Sequence, residues 1–168
     1  MQASMYSMSV PVFAKLLGNL GNILDKGAAF AEQKKIESGV LLNARLAPDM
    51  LPLLMQVRIA CDFARGGAAR LAGEEPPQYE ASETGLTDLR KRVDDAIAYV
   101  RAFGPERFAG AEDRVIVRPI GGKEYTFNGH SYLAEFVMPN FYFHITTAYD
   151  ILRHNGVELG KRDFIGSI

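Results

Sequence analysis

The sequence predicts an all-α protein, an up-and-down bundle of four main helices with a small β-hairpin before the last helix. Three observations predict it. Apolar residues recur at three- and four-residue steps in four separate segments. Pro and Gly punctuate the ends of those segments. A single pair of β-branched and aromatic arms flanks Pro119-Ile120-Gly121-Gly122, the composition of a hairpin turn.

The chain has 168 residues, which fits one domain spanning 1–168. Its 48% hydrophobic and 23% charged content is that of a globular protein, which excludes global disorder. Nineteen basic residues against twenty acidic ones give a net charge of -1, so no electrostatic case exists for nucleic acid or an anionic membrane. No apolar run approaches the roughly 20 residues that cross a bilayer. Met1–Ser9 lacks a signal-peptide pattern, and a cytoplasmic location is expected. Cys61 is the one cysteine, which excludes an internal disulfide and a cysteine-based zinc cluster.

Ser9-Val10-Pro11 is expected to open the first helix, because Ser caps and Pro suits a first turn. Phe13, Leu16, Leu17, Leu20, Ile23 and Leu24 share one face of it. Gly18 and Gly21 interrupt that helix and imply close packing, and Gly27 predicts a bend before a shorter helix ending near Lys35. Residues 36–47 read as an irregular connection contributing Val40, Leu41 and Leu42 to the core.

Pro48-Asp49-Met50-Leu51-Pro52 is expected to start the second helix, with Met50, Leu54, Val57, Cys61, Ala64, Ala68 and Leu71 as its seam. Gly73 stops it, and Glu74-Glu75-Pro76-Pro77 is a linker. Ser82 is expected to cap the third helix, whose seam is Leu86, Leu89, Val93, Ala96, Val100 and Phe103. Its charged residues, Asp88, Arg90, Lys91, Arg92, Asp94 and Asp95, read as a solvated surface. Gly104-Pro105 ends it.

The hairpin arms are Arg114–Arg118 and Lys123–Phe127, and a lone hairpin needs a body or a second subunit to pack on. Gly121-Gly122-Lys123 lacks phosphate-loop spacing, which excludes nucleotide binding there. The last helix runs from Asn128 or Ser131 to about Asn155 and is apolar nearly all round, kinked by Pro139. The tail residues Val157, Leu159, Phe164 and Ile165 are expected to dock on the body.

Asn140 and His144 are four apart on the last helix, so they share one face inside its most apolar stretch. Asp49 and Gln56, seven apart, are expected to share a face of the second helix. The two pairs can meet across an up-and-down bundle, offering imidazole and oxygen donors to zinc, nickel or another divalent ion. The other reading is a buried histidine satisfied by hydrogen bonds alone. Phe141 and Tyr149 belong to an aromatic stripe that forms either core or the wall of a ligand pocket. His154 reads as a surface group near the helix C-terminus, His130, at the start of the same helix, lies too far from His144 to be a co-ligand, and Cys61 reads as a packed, inert thiol.

The stretches Ser9–Phe13, Leu41–Met50, Pro139–His144, Thr147–Arg153 and Gly156–Phe164 resemble an uncharacterised bacterial domain-of-unknown-function family. That family is similar to the DinB/YfiT-like metalloenzyme superfamily. The resemblance implies a four-helix bundle, often a homodimer, holding a metal by one His of the second helix and an H-x-x-x-H pair on the last. In that pair His144 stands at the second position and Asn140 at the first. The second helix has no His, and Asp49 and Gln56 are its nearest polar residues. Relatives in the superfamily include thiol-dependent transferases and isomerases, an analogy of fold.

Two functions are therefore expected of different kinds. One is a dimeric, non-catalytic or small-ligand-binding bundle with a degenerate metal site and no cofactor. The other is a transferase or hydrolase dependent on a divalent metal, with or without a thiol co-substrate. A protein-binding adaptor using the hairpin and tail is a third, weaker idea.

Overall fold

The structure is a computed structural model and describes residues 4–167. The chain is mostly helical, with one two-stranded antiparallel hairpin. Among the described residues, the long helices are α1 (Met5–Lys34), α3 (Leu53–Leu71), α4 (Leu86–Arg101) and α6 (Met138–His154). Helix α1 packs on α4, and α3 packs on both α4 and α6. Their apolar faces form one core cluster. Phe13 of α1 meets Phe141 of α6 edge-on at its centre, with ring centroids 4.9 Å apart.

Helix α1 begins at Met5, before the expected Ser9. Ser4 caps it, accepting the Ser7 N–H at 3.1 Å while Ser7 Oγ accepts the Ser4 N–H at 2.8 Å. Ser9 is instead buried in the helix and donates its hydroxyl to the Met5 carbonyl at 2.5 Å. Pro11 lies inside the helix, on an exposed position.

No bend occurs at Gly27, and one helix continues to Lys34. A Cβ at Gly27 would lie 3.2 Å from a Leu152 methyl, so this glycine serves close packing of α1 on α6. Gly21 likewise lies under the Arg90 guanidinium, which a Cβ would meet at 2.8 Å. Nothing approaches Gly18 within 4 Å, so the structure does not explain it.

Residues 38–43 form a short helix, α2 (Ser38–Asn43), where an irregular connection was expected. Leu41 and Leu42 are buried as expected, but Val40 is 59% exposed.

Helix α3 starts at Leu53, with Pro52 at its N-cap. The ring of Pro52 disfavours helical dihedrals at the preceding Leu51, so the helix cannot begin at Pro48. Asp49 and Met50 therefore lie outside it, in a loop where Arg45 donates to the Met50 carbonyl at 2.7 Å. Helix α4 starts at Leu86, not after Ser82. Its N-terminus is closed by Asp88, which accepts N–H groups from Thr84 at 2.9 Å and Gly85 at 3.2 Å. The expected α4 seam is buried throughout.

The hairpin pairs β1 (Ile116–Ile120) with β2 (Lys123–Phe127), Ile116 opposite Phe127. Gly121 and Gly122 both take positive φ, as this two-residue turn requires. Ile116 is buried, and the Phe127 ring stacks on Phe136 at 5.5 Å, which fixes the hairpin to the bundle.

The expected last helix is divided. A single turn, α5 (Gly129–Ser131), leads into a π-helical segment, Tyr132–Val137, and then into α6. The Met138 N–H reaches back five residues to the Leu133 carbonyl. Pro139 then falls in the first turn of α6, where its missing N–H is tolerated.

The tail docks as expected through buried Val157 and Leu159 and a short helix, α7 (Lys161–Ile165). Asn19 donates to the Phe164 carbonyl at 2.8 Å, and Lys26 pairs with Asp163 at 2.7 Å. Among the described residues no helix is long and apolar enough to cross a membrane.

Candidate functional site

Helix α3 carries the main buried polar features, and a glutamine in its first turns meets the buried histidine of α6. Gln56 is 1% exposed and His144, on α6, is 8% exposed. His144 Nδ1 lies 2.7 Å from Gln56 Oε1, while Gln56 Nε2 donates to the Leu51 carbonyl at 3.0 Å. The amide is thereby oriented with its oxygen toward the ring, which fixes the proton on Nδ1 and leaves Nε2 unprotonated. Burial pulls the imidazole pKa below its ordinary value, so the ring is neutral near pH 7. Phe63 stacks beside it at 6.0 Å between ring centroids.

The other expected site residues do not join this pair. Asn140 turns back on its own helix, donating to the Phe136 carbonyl at 2.7 Å. Asp49 is exposed in the loop before α3, because the helix that was to carry it starts four residues later. Phe141 is fully buried against Phe13, and Tyr149 packs edge-on against Phe164 of the tail, so both serve packing. His130 and His154 are exposed. Cys61 is fully buried, and its thiol pKa is pushed up to about 12 by burial, which suits an inert packed group.

A metal centre of the kind implied by the superfamily needs three protein ligands. Gln56 has both ends of its amide engaged, which leaves one imidazole nitrogen and the Asn140 oxygen on this face. Among the described residues no group of three or more His, Cys, Asp or Glu side chains converges on a metal-sized site. This donor set does not fit a three-ligand centre.

Midway along α3 lies a buried cluster of charges that the sequence did not disclose. Glu83, from the linker, accepts from Arg58 Nε at 2.8 Å and from Arg92 Nη1 at 2.5 Å. Arg92, expected on the solvated face of α4, is 8% exposed and also reaches Asp62 at 3.3 Å. Arg65, 3% exposed, donates to the Pro77 carbonyl at 2.6 Å and stacks on the Tyr79 ring at 3.3 Å. Burial opposes ionisation of Glu83, but its own backbone hydrogen bond and the two guanidiniums hold its carboxyl below the usual range. This cluster binds the linker to the bundle.

The last turns of α3 line a cleft of about 200 Å³. Ile59, Phe63 and Phe136 form its apolar side, and Arg70, Arg118 and Tyr132 its polar side. Gly66 and Gly67 lie between them, two consecutive glycines inside a helix, each disfavoured by about 1 kcal/mol relative to Ala. A Cβ at Gly66 would meet Arg70 Nη1 at 2.6 Å, and one at Gly67 would meet Val137 at 2.8 Å. The first glycine makes room for the guanidinium and the second for the π-helical segment. The Gly-Gly pair within a helical pattern was the available sequence signal for this cleft. Arg118 reaches it because β1 alternates, turning Ile116, Arg118 and Ile120 to the bundle side.

The helical core, the hairpin before the last helices and the α3–α6 pairing define a mostly helical protein. Residues 5–165 match the DUF1993 family, a domain of unknown function, and the chain belongs to that family. It is similar to a solved DinB family member protein from Shewanella denitrificans, with 47% identity and a TM-score of 0.90. That similarity covers 97% of this chain and 92% of the other. No curated protein matches.

Proposed function

We propose that the protein is a small-ligand-binding, non-catalytic member of the DinB-like up-and-down four-helix bundles, working as a homodimer. In this reading the metal position is held by a hydrogen-bonded amide–imidazole pair. The observation that carries it is the Gln56–His144 bond, whose glutamine is tied at both ends and is thus unavailable as a ligand. Phe63 links this pair to the cleft at the other end of α3, stacking on His144 and meeting Phe136 edge-on at 5.5 Å. The cleft combines aromatic walls with a few convergent polar groups, the usual make-up of a ligand site.

The dimer is supported by Tyr142 and Phe143, which are 41% and 54% exposed on α6, and by Leu51, 44% exposed before α3. Sedimentation equilibrium is expected to show a dimer that Phe143→Glu dissociates, and a monomer at all concentrations would remove that part. Calorimetric titration of untagged protein with zinc and with nickel tests the site. No stoichiometric uptake is expected. Uptake of one ion per chain, abolished in His144→Ala, would overturn the empty-site reading and favour the metal-dependent transferase or hydrolase.

A further inference from the structure

We propose that the cleft between α3, the hairpin and the π-helical segment binds a small monocarboxylate with a flat, apolar body. This names the ligand class for the ligand-binding reading above and rests on it.

Arg70 and Arg118 both line the cleft, one from a helix and one from a strand. The Nε atom of each, like those of Arg65 and Arg92 outside the cleft, is buried and meets no protein acceptor among the described residues. Arg70 pairs with Glu75, which is 77% exposed, and makes a long contact of 3.4 Å to the Tyr132 hydroxyl. No carboxylate among the described residues pairs with Arg118. Two guanidiniums within one small cleft repel each other in a site of reduced dielectric, and an anion between them relieves that repulsion. The planar fork of arginine matches a carboxylate through paired N–H donors.

The rest of the lining selects the kind of anion. Asp62 stands on the rim, 55% exposed and shared with Arg65 and Arg92, and Glu75 lies beyond Arg70. Both oppose a dianion such as phosphate and leave a monoanion favoured. Phe63, Phe136 and Ile59 offer flat and branched apolar surface to the ligand body, with Tyr132 beside Phe136 at 5.9 Å. A cleft of about 200 Å³ limits that body to about one ring.

The test is titration of the full chain with benzoate, benzamide and inorganic phosphate, followed by amide chemical shifts. Benzoate is expected to move the Gly66 and Gly67 amides and to bind at least tenfold more tightly than benzamide or phosphate. Arg118→Gln and Arg70→Gln are each expected to weaken benzoate at least tenfold, with circular dichroism unchanged. Equal binding of benzoate and benzamide in this cleft would overturn the anion proposal while leaving a ligand-binding protein. Phosphate binding more tightly than benzoate, or unchanged benzoate affinity in folded Arg118→Gln, would overturn it too. No binding by any of the three probes would overturn the proposal, and a neutral ligand found there by screening would still uphold the broader reading.

Discussion

Two sets of arginines lie along the same helix, and they are treated in opposite ways. Arg58 and Arg65 are bound by a buried carboxylate, a backbone carbonyl and an aromatic face, and Arg92 of α4 completes that cluster. Arg70, one turn beyond, has one exposed carboxylate, and Arg118 opposite it has none among the described residues. The first set is paired by groups of the chain, with only the Nε atoms of Arg65 and Arg92 left without an acceptor, and holds a linker of irregular backbone in place. The second set lines an open cleft in which Glu75 pairs with Arg70 while Arg118 meets no carboxylate among the described residues. A buried cation whose partners are all supplied by the chain is structural, whereas one facing a cavity unmatched is poised to meet something else.

The comparison breaks most readily at Glu83. Glu83→Ala removes the carboxylate shared by Arg58 and Arg92, leaving Arg92 only Asp62 and the Glu80 carbonyl, and chemical denaturation is expected to show a loss of about 3–5 kcal/mol. A loss below about 1 kcal/mol would mean the cluster is solvated and the contrast false. Gln56→Leu removes the acceptor of the buried imidazole N–H and is expected to cost about 1–3 kcal/mol.

The same imidazole gives a pH signature. Its folded pKa is lowered, so the unfolded chain binds the proton more readily. Its contribution is complete above the unfolded value, near 6.5, and declines as pH falls through that value toward the folded one. His144→Gln is expected to flatten this limb of the stability–pH curve. An unchanged limb would show that His144 is not its source.

The smallest effect belongs to the cleft. Arg118→Gln is expected to change stability by no more than about 0.5 kcal/mol, since no protein group depends on it. A drop comparable to that of Glu83→Ala would place Arg118 with the structural set.

The helical segments were legible because their seams repeat over many turns, as Leu86 to Val100 in α4 shows. Boundaries were less so. Local rules placed both Pro48 and Pro52 in a first turn, yet Pro52 restricts its predecessor and moves the start to Leu53. That shift is why Gln56 meets His144 and Asp49 does not. The charged cluster was illegible for another reason. Arg92 sits amid five other charged residues of α4, and only the path of the linker, bringing Glu83 and Tyr79 over it, excludes water. The cleft needed the inward alternation of β1, a long-range fact that periodicity in α3 alone cannot convey.

A two-stranded ribbon has little rigidity of its own. The hairpin takes its position from the contact of the Phe127 ring with Phe136. Phe136 is also a wall of the cleft, and Arg118 rides on the ribbon. The aromatic contacts of Phe127 therefore help to place Arg118 over the cleft, and altering their bulk would shift that guanidinium without touching either arginine.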